Sequence, residues 1–346
     1  MHAMAEIAQK TQVIAGIAPD RIPVAELLEA GQPAILKGLA RDWPLVRSGL
    51  ESAGQAIAYL KRFCGPRPIT VFSGRPEIAG RFHYNDEVTG FNFQAQKVPL
   101  GDTLDRLQAQ LGDANAPSYY VGSTDIDLYL PQLRVDNDLR LDGAPFAQHR
   151  PLMSIWIGNR TVASAHFDMT HNLACCMVGR RRFSLFPPEQ VHNLYPGPLE
   201  PTPGGQVVSM VNFDAPDFER YPRFREALAA GQVAEIEPGD VLFYPAMWWH
   251  HVQALESFNT MINYWWTTSA KFIDSPQTTL LHALISLRDR PPQEKAAWRA
   301  LFDYYVFGAP GRAAEHLPEN ARGNLAPMDD TKARRLRAFL INRLNR

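Results

Sequence analysis

Two residues of the segment AHFD, His166 and Asp168, lie two positions apart, and an adjacent histidine pair follows much later in PAMWWHHV. On a β-strand, residues i and i+2 point to the same face, so an imidazole and a carboxylate converge on one point. With one more histidine they form the 2-His-1-carboxylate facial triad, which holds a non-haem Fe(II) and leaves coordination positions open. An H-x-D pair by itself usually consists of two polar surface residues, but this pair lies in an apolar stretch of the sequence. The spacing therefore predicts an iron site.

Only one of the two adjacent histidines, His250 and His251, can face the same site if their segment is an extended strand. His250 shares its face with Val252, which marks the drier side. His251 shares the opposite face with Gln253, which suits the wetter side. Alternation therefore favours His250 as the third ligand and leaves His251 as a second-layer or surface residue. A β-bulge between them would invalidate this prediction.

The run GRRRFSLF places an arginine on an apolar strand face, because Arg181 alternates with Phe183 and Leu185. A buried guanidinium is unfavourable unless an anion meets it. An internal salt bridge is one explanation, and a bound carboxylate is the other, since the guanidinium fork suits bidentate carboxylate binding. Beside an iron site, the second explanation indicates a dicarboxylate co-substrate.

The elements that must position these residues change character along the chain. Residues 1–117 mix short helices with short strands, and from about Ser118 short segments rich in β-branched and aromatic residues alternate with turns. Such spacing is typical of an antiparallel sandwich or barrel. After about residue 270 the pattern becomes helical. The sequence thus predicts three parts, 1–117, 118–270 and 271–346, with the site in the second.

Composition excludes several other classes of protein. The 346 residues carry a net charge of -1, which gives no indication of a nucleic-acid or membrane-surface partner. Three cysteines are too few for a disulfide framework and fit a reducing compartment. There is no secretory signal pattern and no run of about 18 apolar residues. We therefore expect a cytoplasmic protein without a membrane span.

The segments HFDMTHNLACCMVGRRRFSLFPPEQVHNLYPGP, FDAPDFERYPRF, PGDVLFYPAMWWHHV and NYWW, taken in this order, resemble the JmjC/cupin-like 2-oxoglutarate oxygenases, above all the asparaginyl hydroxylase type. The similarity runs from about residue 33 to 266. It implies a mainly β fold: a double-stranded β-helix (jelly-roll) core with N-terminal α/β additions and C-terminal helices. It also makes His166, Asp168 and His250 the Fe(II) ligands, with 2-oxoglutarate and O₂ as co-substrates.

The resemblance assigns the co-substrate residues unevenly. Arg181 stands where the family has a lysine, and Tyr120 matches a tyrosine that binds the far carboxylate, with Tyr119 as the alternative. Asn172 and Asn263 match asparagines near the co-substrate. Trp265 matches an aromatic residue near the iron.

One family contact is missing from the sequence. Where the asparaginyl hydroxylase type has a threonine three residues before the first ligand, this chain has Ala163, so a hydroxyl contact is lost or is supplied elsewhere, for example by Ser164. The ordinary alternative for each of these co-substrate positions is a residue that lines the barrel.

Substrate and partners are less constrained. The resemblance favours a protein or peptide side chain over a small molecule, with entry near residues 195–220, but fold does not set substrate. A non-catalytic metal-binding cupin-like protein and a metal-dependent cupin isomerase are the alternatives. The C-terminal helices carry apolar residues at helical spacing, which predicts a homodimer through these helices, as in the resembled hydroxylase. Examples of these apolar residues are Leu336, Phe339, Leu340 and Leu344.

Overall fold

The computed structural model describes residues 6–143, 145–146 and 150–345, and this part of the chain forms fifteen β-strands and ten α-helices. The strands are β1 Gln9–Lys10, β2 Gln12–Ile14, β3 Ala34–Leu36, β4 Pro68–Gly74, β5 Arg81–Phe82, β6 Phe93–Pro99, β7 Ser118–Asp125, β8 Leu152–Gly158, β9 Val162–Phe167, β10 His171–Val178, β11 Arg181–Phe186, β12 Gln232–Ile236, β13 Val241–Tyr244, β14 Trp249–Ala254 and β15 Asn259–Trp266. The helices are α1 Val24–Ala30, α2 Pro44–Glu51, α3 Ala53–Lys61, α4 Leu100–Ala109, α5 Ile126–Tyr129, α6 Leu133–Asp136, α7 Phe224–Ala230, α8 Pro276–Ser286, α9 Pro292–Tyr305 and α10 Asp330–Leu344.

The strands form two sheets. One has the order β1-β12-β11-β14-β9-β5, and the other has the order β2-β3-β13-β10-β15-β8-β7-β4-β6. Apolar side chains from both sheets pack between them, among them Phe183 and Val252 from the first sheet and Ala174 and Leu242 from the second. Strands that alternate inward and outward in this way form a sandwich with one shared core. The predicted double-stranded β-helix is confirmed.

A larger core lies on the other face of the nine-stranded sheet. Helices α2, α3 and α4 bury Leu45, Ile57 and Leu104 there, against sheet residues such as Ile155 and Ile262. This sheet, which carries Tyr120, Asn172 and Asn263, is therefore covered on both sides.

The N-terminal segment contributes strands to both sheets as well as helices. Strand β4 pairs with β7, where Phe72 lies opposite Tyr120, and β5 pairs with β9, where Phe82 lies opposite Ala163. Residues up to Thr267 form one compact unit. The predicted division at residue 117 therefore marks a change in sequence pattern inside a single structural unit.

The second compact unit begins at Thr268 and contains α8, α9 and α10. Within it, the guanidinium of Arg337 pairs with the carboxylate of Asp274 at 2.7 Å. Many of its large apolar side chains are exposed, and Ile285 and Phe307 reach 87% and 75%. In the described part of the chain, no helix is long and apolar enough to cross a membrane.

His83, buried in the first unit, makes stability depend on pH. Its Nε2 lies 3.1 Å from the carbonyl oxygen of Ser209, and burial, helped by the charge of Arg81, lowers its pKa to about 4. The unfolded chain takes up a proton near pH 6.5, whereas the folded one does not, so stability is lost as pH falls from about 6.5 to 4. A shift of this size corresponds to about 3 kcal/mol.

We expect His83→Gln, which keeps a donor for Ser209 but cannot titrate, to flatten this part of the pH profile. Urea unfolding of both proteins at several pH values between 4 and 7 measures the difference. Equal slopes for the two proteins would show that His83 titrates normally.

Candidate active site

The two histidines and the aspartate of the predicted triad lie together at one end of the six-stranded sheet. His166, near the end of β9, is the direct cross-strand partner of His250 on β14, and Asp168 follows β9 immediately. Their candidate ligand atoms all lie within 4.8 Å of one another, and Nε2 of His250 is 3.7 Å from Oδ2 of Asp168. Two imidazoles and one carboxylate at this separation can hold a single divalent transition metal from one side.

A bulge is present beside the triad, but it does not reverse the histidines. Strand β14 pairs with β11 without a shift, whereas its register with β9 shifts between His250 and Val252, which lie opposite His166 and Ala163. The two positions from His250 to Val252 on β14 are therefore matched by the three positions from His166 to Ala163 on β9. The extra residue of the bulge is on β9. Alternation along β14 is intact, and on β9 the bulge turns both Ala163 and His166 toward the same cavity.

Each histidine is oriented by its own strand. Nδ1 of His166 lies 2.8 Å from the carbonyl oxygen of Ser164, and Nδ1 of His250 lies 3.0 Å from that of Trp248. An Nδ1–H that donates to these carbonyls leaves Nε2 as the free lone pair. Burial lowers the pKa of His250 to about 4, so its imidazole is neutral near pH 7, as a metal ligand must be.

The carboxylate is oriented by a chain of side chains from other strands. Asn172 donates through Nδ2 to Oδ2 of Asp168 at 3.3 Å, and Asn263 donates to Oδ1 of Asn172 at 3.3 Å. The indole N–H of Trp156 donates in turn to Oδ1 of Asn263. Both asparagines are buried. The structure thus places Asn172 behind Asp168, and Asn263 lines the cavity in front of the triad.

The cavity in front of the triad has a volume of about 520 Å³, and Arg181 and Tyr120 line it together with the triad. Arg181 is only 3% exposed, and its guanidinium, with Nε buried, makes no hydrogen bond or ion pair with any residue that the structure describes. Burial lowers its pKa, which is the expected response of a guanidinium without a counter-ion. No internal salt bridge therefore explains Arg181 within the described residues, and the carboxylate explanation is left.

Tyr120, not Tyr119, faces this cavity. Tyr119 packs against the larger core, while the phenol of Tyr120 lies near the charge of Arg181. Burial raises the pKa of Tyr120, so its hydroxyl remains a neutral hydrogen-bond donor. Trp265 also lines the cavity, and its indole nitrogen has no hydrogen-bond partner in the described structure.

Ser164 does not replace the hydroxyl that is missing at Ala163. Within the described residues its side chain is buried without a hydrogen-bond partner, and it lines a smaller neighbouring cavity instead of the one that contains Arg181. Hydroxyl side chains that do line the main cavity belong to Ser123, Thr161 and Thr170. Together with the guanidinium of Arg181 and the phenol of Tyr120, they are the donors available there in place of a hydroxyl at position 163.

His251 lies on the opposite face of β14, as alternation predicts, but it is not at the surface. It is 3% exposed, and its ring stacks on Phe213 with centroids 4.3 Å apart. Neither ring nitrogen has a partner in the described structure. Of the two histidines, only His250 reaches the candidate metal position.

Sequence reasoning missed Trp156, which lies at the head of the chain of donors. The sequence could have indicated Trp156, because Trp156 and Leu152 lie four positions apart and so share one face of β8. Both residues line the cavity. The missing information was the pairing of β8 with β15, which brings Trp156 within reach of Asn263.

A jelly-roll of two sheets with a His-Asp-His cluster at one end is the arrangement of a cupin-like protein. The model of the cupin-like domain family matches residues 19–272, most of the chain, so the chain belongs to this family. The predicted membership is therefore confirmed.

The curated relatives include proteins with Jumonji (JmjC) names. The chain is 25% identical over 265 residues to "Lysine-specific demethylase JMJ31" of Arabidopsis thaliana, covering 68% of this chain and 46% of that protein. It is 27% identical over 251 residues to "Jumonji C domain-containing protein 5" of Drosophila melanogaster, covering 69% and 55%. It is 32% identical over 149 residues to human "HSPB1-associated protein 1", covering 42% and 30%. The chain thus spans about half, or less, of the length of these relatives.

Proposed function

We propose that this chain is an Fe(II)- and 2-oxoglutarate-dependent oxygenase that hydroxylates a protein or peptide side chain or a small molecule. The observation that carries the proposal is Arg181, a buried guanidinium with no counter-ion among the described residues, which lines the same cavity as the triad. The JmjC relatives support the class of enzyme. The particular resemblance to asparaginyl hydroxylases, and hence a protein substrate, stays a prediction.

The triad fits Fe(II). His166 and His250 would each supply Nε2, and Asp168 would supply a carboxylate oxygen, a donor set with open positions toward the cavity. When bound, Fe(II) together with 2-oxoglutarate and O₂ supplies the oxidising chemistry for hydroxylation of a C–H bond. The part of the protein is to fix the ligands, to leave one side open and to keep water out.

The cavity fits the far carboxylate of 2-oxoglutarate. The guanidinium of Arg181 would bind it through a charge-assisted fork, and the hydroxyl of Tyr120 would donate a further hydrogen bond. Arginine is larger than the family's lysine and fixes two carboxylate oxygens in a plane. Trp265, Phe183 and Met261 provide apolar wall, which strengthens these contacts by excluding water.

The proposal is tested with Fe(II) and 2-oxoglutarate under anaerobic conditions. The protein should show a weak metal-to-ligand charge-transfer absorption band, and Asp168→Ala should abolish it. On admission of O₂, the wild type should release succinate, which can be screened against peptide and metabolite pools. Iron binding with neither band nor succinate would contradict the oxygenase proposal and favour a non-catalytic metal-binding protein. Turnover without O₂ and 2-oxoglutarate would favour a cupin isomerase.

Asn172 is expected to act through the orientation of Asp168. Groups that orient metal ligands typically contribute about 10- to 100-fold to metal affinity or activity, so we expect Asn172→Leu to lose that much Fe(II) affinity. Asn263→Leu removes the hydrogen bond to Asn172 but keeps the one from Asn172 to Asp168, so it should reduce Fe(II) affinity by less. If the chain acts as a unit, the double variant should lose about as much as Asn172→Leu alone. Additive losses in titrations of metal affinity would show that the two asparagines act separately.

We also propose that the protein is a homodimer, formed through its C-terminal helices. The proposal rests on the apolar residues of α10 that the structure leaves exposed, among them Leu340 and Leu344, which lie one turn apart, and on the resemblance. An exposed apolar face of this kind usually marks an interface. Light scattering should give twice the chain mass, and Leu340→Glu with Leu344→Glu should give a monomer. A monomeric wild type at micromolar concentration would contradict the proposal.

A further inference from the structure

A second cavity, of about 320 Å³, adjoins the one that contains the triad. The two cavities share His166, Tyr120 and Trp156 in their linings. A metal ligand is thus part of the wall of both. The second cavity is lined by residues of strands β4 to β9 and of the loop 203–208.

Five aromatic rings form a continuous series around this cavity, which we call the aromatic compartment. The ring centroids of successive pairs lie 5.4 Å (Phe72 to Phe93), 5.5 Å (Phe93 to Phe82), 5.6 Å (Phe82 to Tyr120) and 5.8 Å (Tyr120 to Trp156) apart. All but Phe82 are half-buried, so the rings leave apolar surface facing open space. An apolar cavity of about 150 Å³ already holds a benzene ring, so this compartment has room for a larger group.

Charge is absent from the wall of the compartment. Among its described lining residues there is no aspartate, glutamate, lysine or arginine. Aromatic rings alone can attract a quaternary ammonium. The two charges that act on Tyr120 lie outside this wall and have opposite signs, the cation Arg181 and the carboxylate of Asp168. A cation in the compartment would therefore meet no carboxylate in the wall. A neutral apolar group needs no counter-charge there, so its burial does not carry the desolvation cost of a charge.

We propose that the aromatic compartment binds an uncharged, bulky apolar group of the substrate, either a branched aliphatic chain or an aromatic ring. This inference extends the proposed oxygenase function and rests on it, because the bound group is taken to be part of the substrate of that reaction. The group would lie against Phe72 and Phe93 and extend toward His166, where the two cavities meet. The source of the group, a protein side chain or a small molecule, does not alter this chemistry.

A pair of probes of equal shape tests the compartment without the reaction. 3,3-Dimethylbutan-1-ol and choline differ in that a carbon of the first replaces the charged nitrogen of the second. Binding of each to the metal-free protein is measured by ligand-observed NMR. We expect the neutral probe to bind at least about tenfold more tightly, the preference of an uncharged apolar site. Tighter binding of choline would overturn the proposal in favour of a methylammonium site.

Two variants locate the binding, and a third serves as control. A Cβ at Gly122 would already lie 3.3 Å from the ring of Trp156, so Gly122→Leu should fill the compartment and weaken the neutral probe about tenfold or more. Phe72→Ala removes one wall and should also weaken binding. Phe91 stacks on Phe93 at 5.1 Å but does not line the compartment, so Phe91→Ala should leave the affinity unchanged within about twofold.

The outcomes separate this inference from the proposed function. Loss of probe binding in Gly122→Leu and Phe72→Ala, with wild-type circular dichroism and an intact response to Fe(II) and 2-oxoglutarate, supports the compartment. Equal probe binding in wild type and both variants would overturn it, even in an active oxygenase. Conversely, specific probe binding in a protein without a charge-transfer band or succinate release would contradict the oxygenase proposal alone.

Discussion

His250→Ala should lose Fe(II) binding altogether, whereas His251→Phe should keep it. His250 faces His166 across the ladder between β9 and β14, with Nε2 free and directed toward the carboxylate of Asp168. Without it only two ligands remain, too few for a stable site of this type. His251 lies on the opposite face and stacks on Phe213, so a phenyl ring can take its place.

His251→Phe is a close control for His250→Ala, because the two positions are adjacent on the same strand. Among the residues that the structure describes, neither buried ring nitrogen of His251 has a partner, so His251→Phe should also leave the free energy of unfolding equal or higher. Metal content by mass spectrometry and urea unfolding measure the two quantities. If His251→Phe lost iron and His250→Ala retained it, the assignment of the triad would be wrong.

Arg181→Met should lower the affinity for 2-oxoglutarate by more than about a hundredfold, since a desolvated charge pair typically contributes this much or more. The same variant should raise the free energy of unfolding of the ligand-free protein, because it replaces a buried guanidinium that has no partner in the described part of the chain with an apolar chain of similar length. A substitution that weakens ligand binding but stabilises the ligand-free fold identifies a residue that serves binding and not folding.

Arg180, the adjacent residue, offers a matched control. Its guanidinium pairs with Glu256 at 2.8 Å on the surface, with both side chains well exposed. Arg180→Met should therefore change unfolding by less than about 1 kcal/mol and leave 2-oxoglutarate affinity unaltered. Calorimetric titration of 2-oxoglutarate into the iron-loaded proteins provides the comparison. Unchanged affinity in Arg181→Met would assign the far carboxylate to other residues.

The parts of the site that sequence predicts well are those carried by regular strands. Alternation on β11 and β14 correctly separates Arg181 from Arg182 and His250 from His251, because these two strands pair with each other without a register shift. On β9, alternation alone would set Ala163 and His166 on opposite faces. The bulge brings them to the same cavity, and only the resemblance indicated this in advance.

The parts that sequence does not predict depend on pairings between distant strands. The chain from Trp156 to Asp168 exists because β8, β15 and β10 are neighbours, although nothing local to Trp156 marks it. The aromatic compartment needs Phe72 and Phe93, which lie in the segment before residue 118 that sequence pattern sets apart from the barrel. Sequence reasoning placed the site in the second part of the chain, whereas one wall comes from the first.

The two ways of orienting ligands have a consequence for sequence variation. Each histidine is held by a backbone carbonyl of its own strand, at Ser164 and Trp248, and any amino acid provides that carbonyl. Asp168 is held by side chains, so among relatives Asn172 and Asn263 should change only together or not at all. An alignment would therefore reveal how the carboxylate is fixed, while the groups that fix the imidazoles would leave no trace in it.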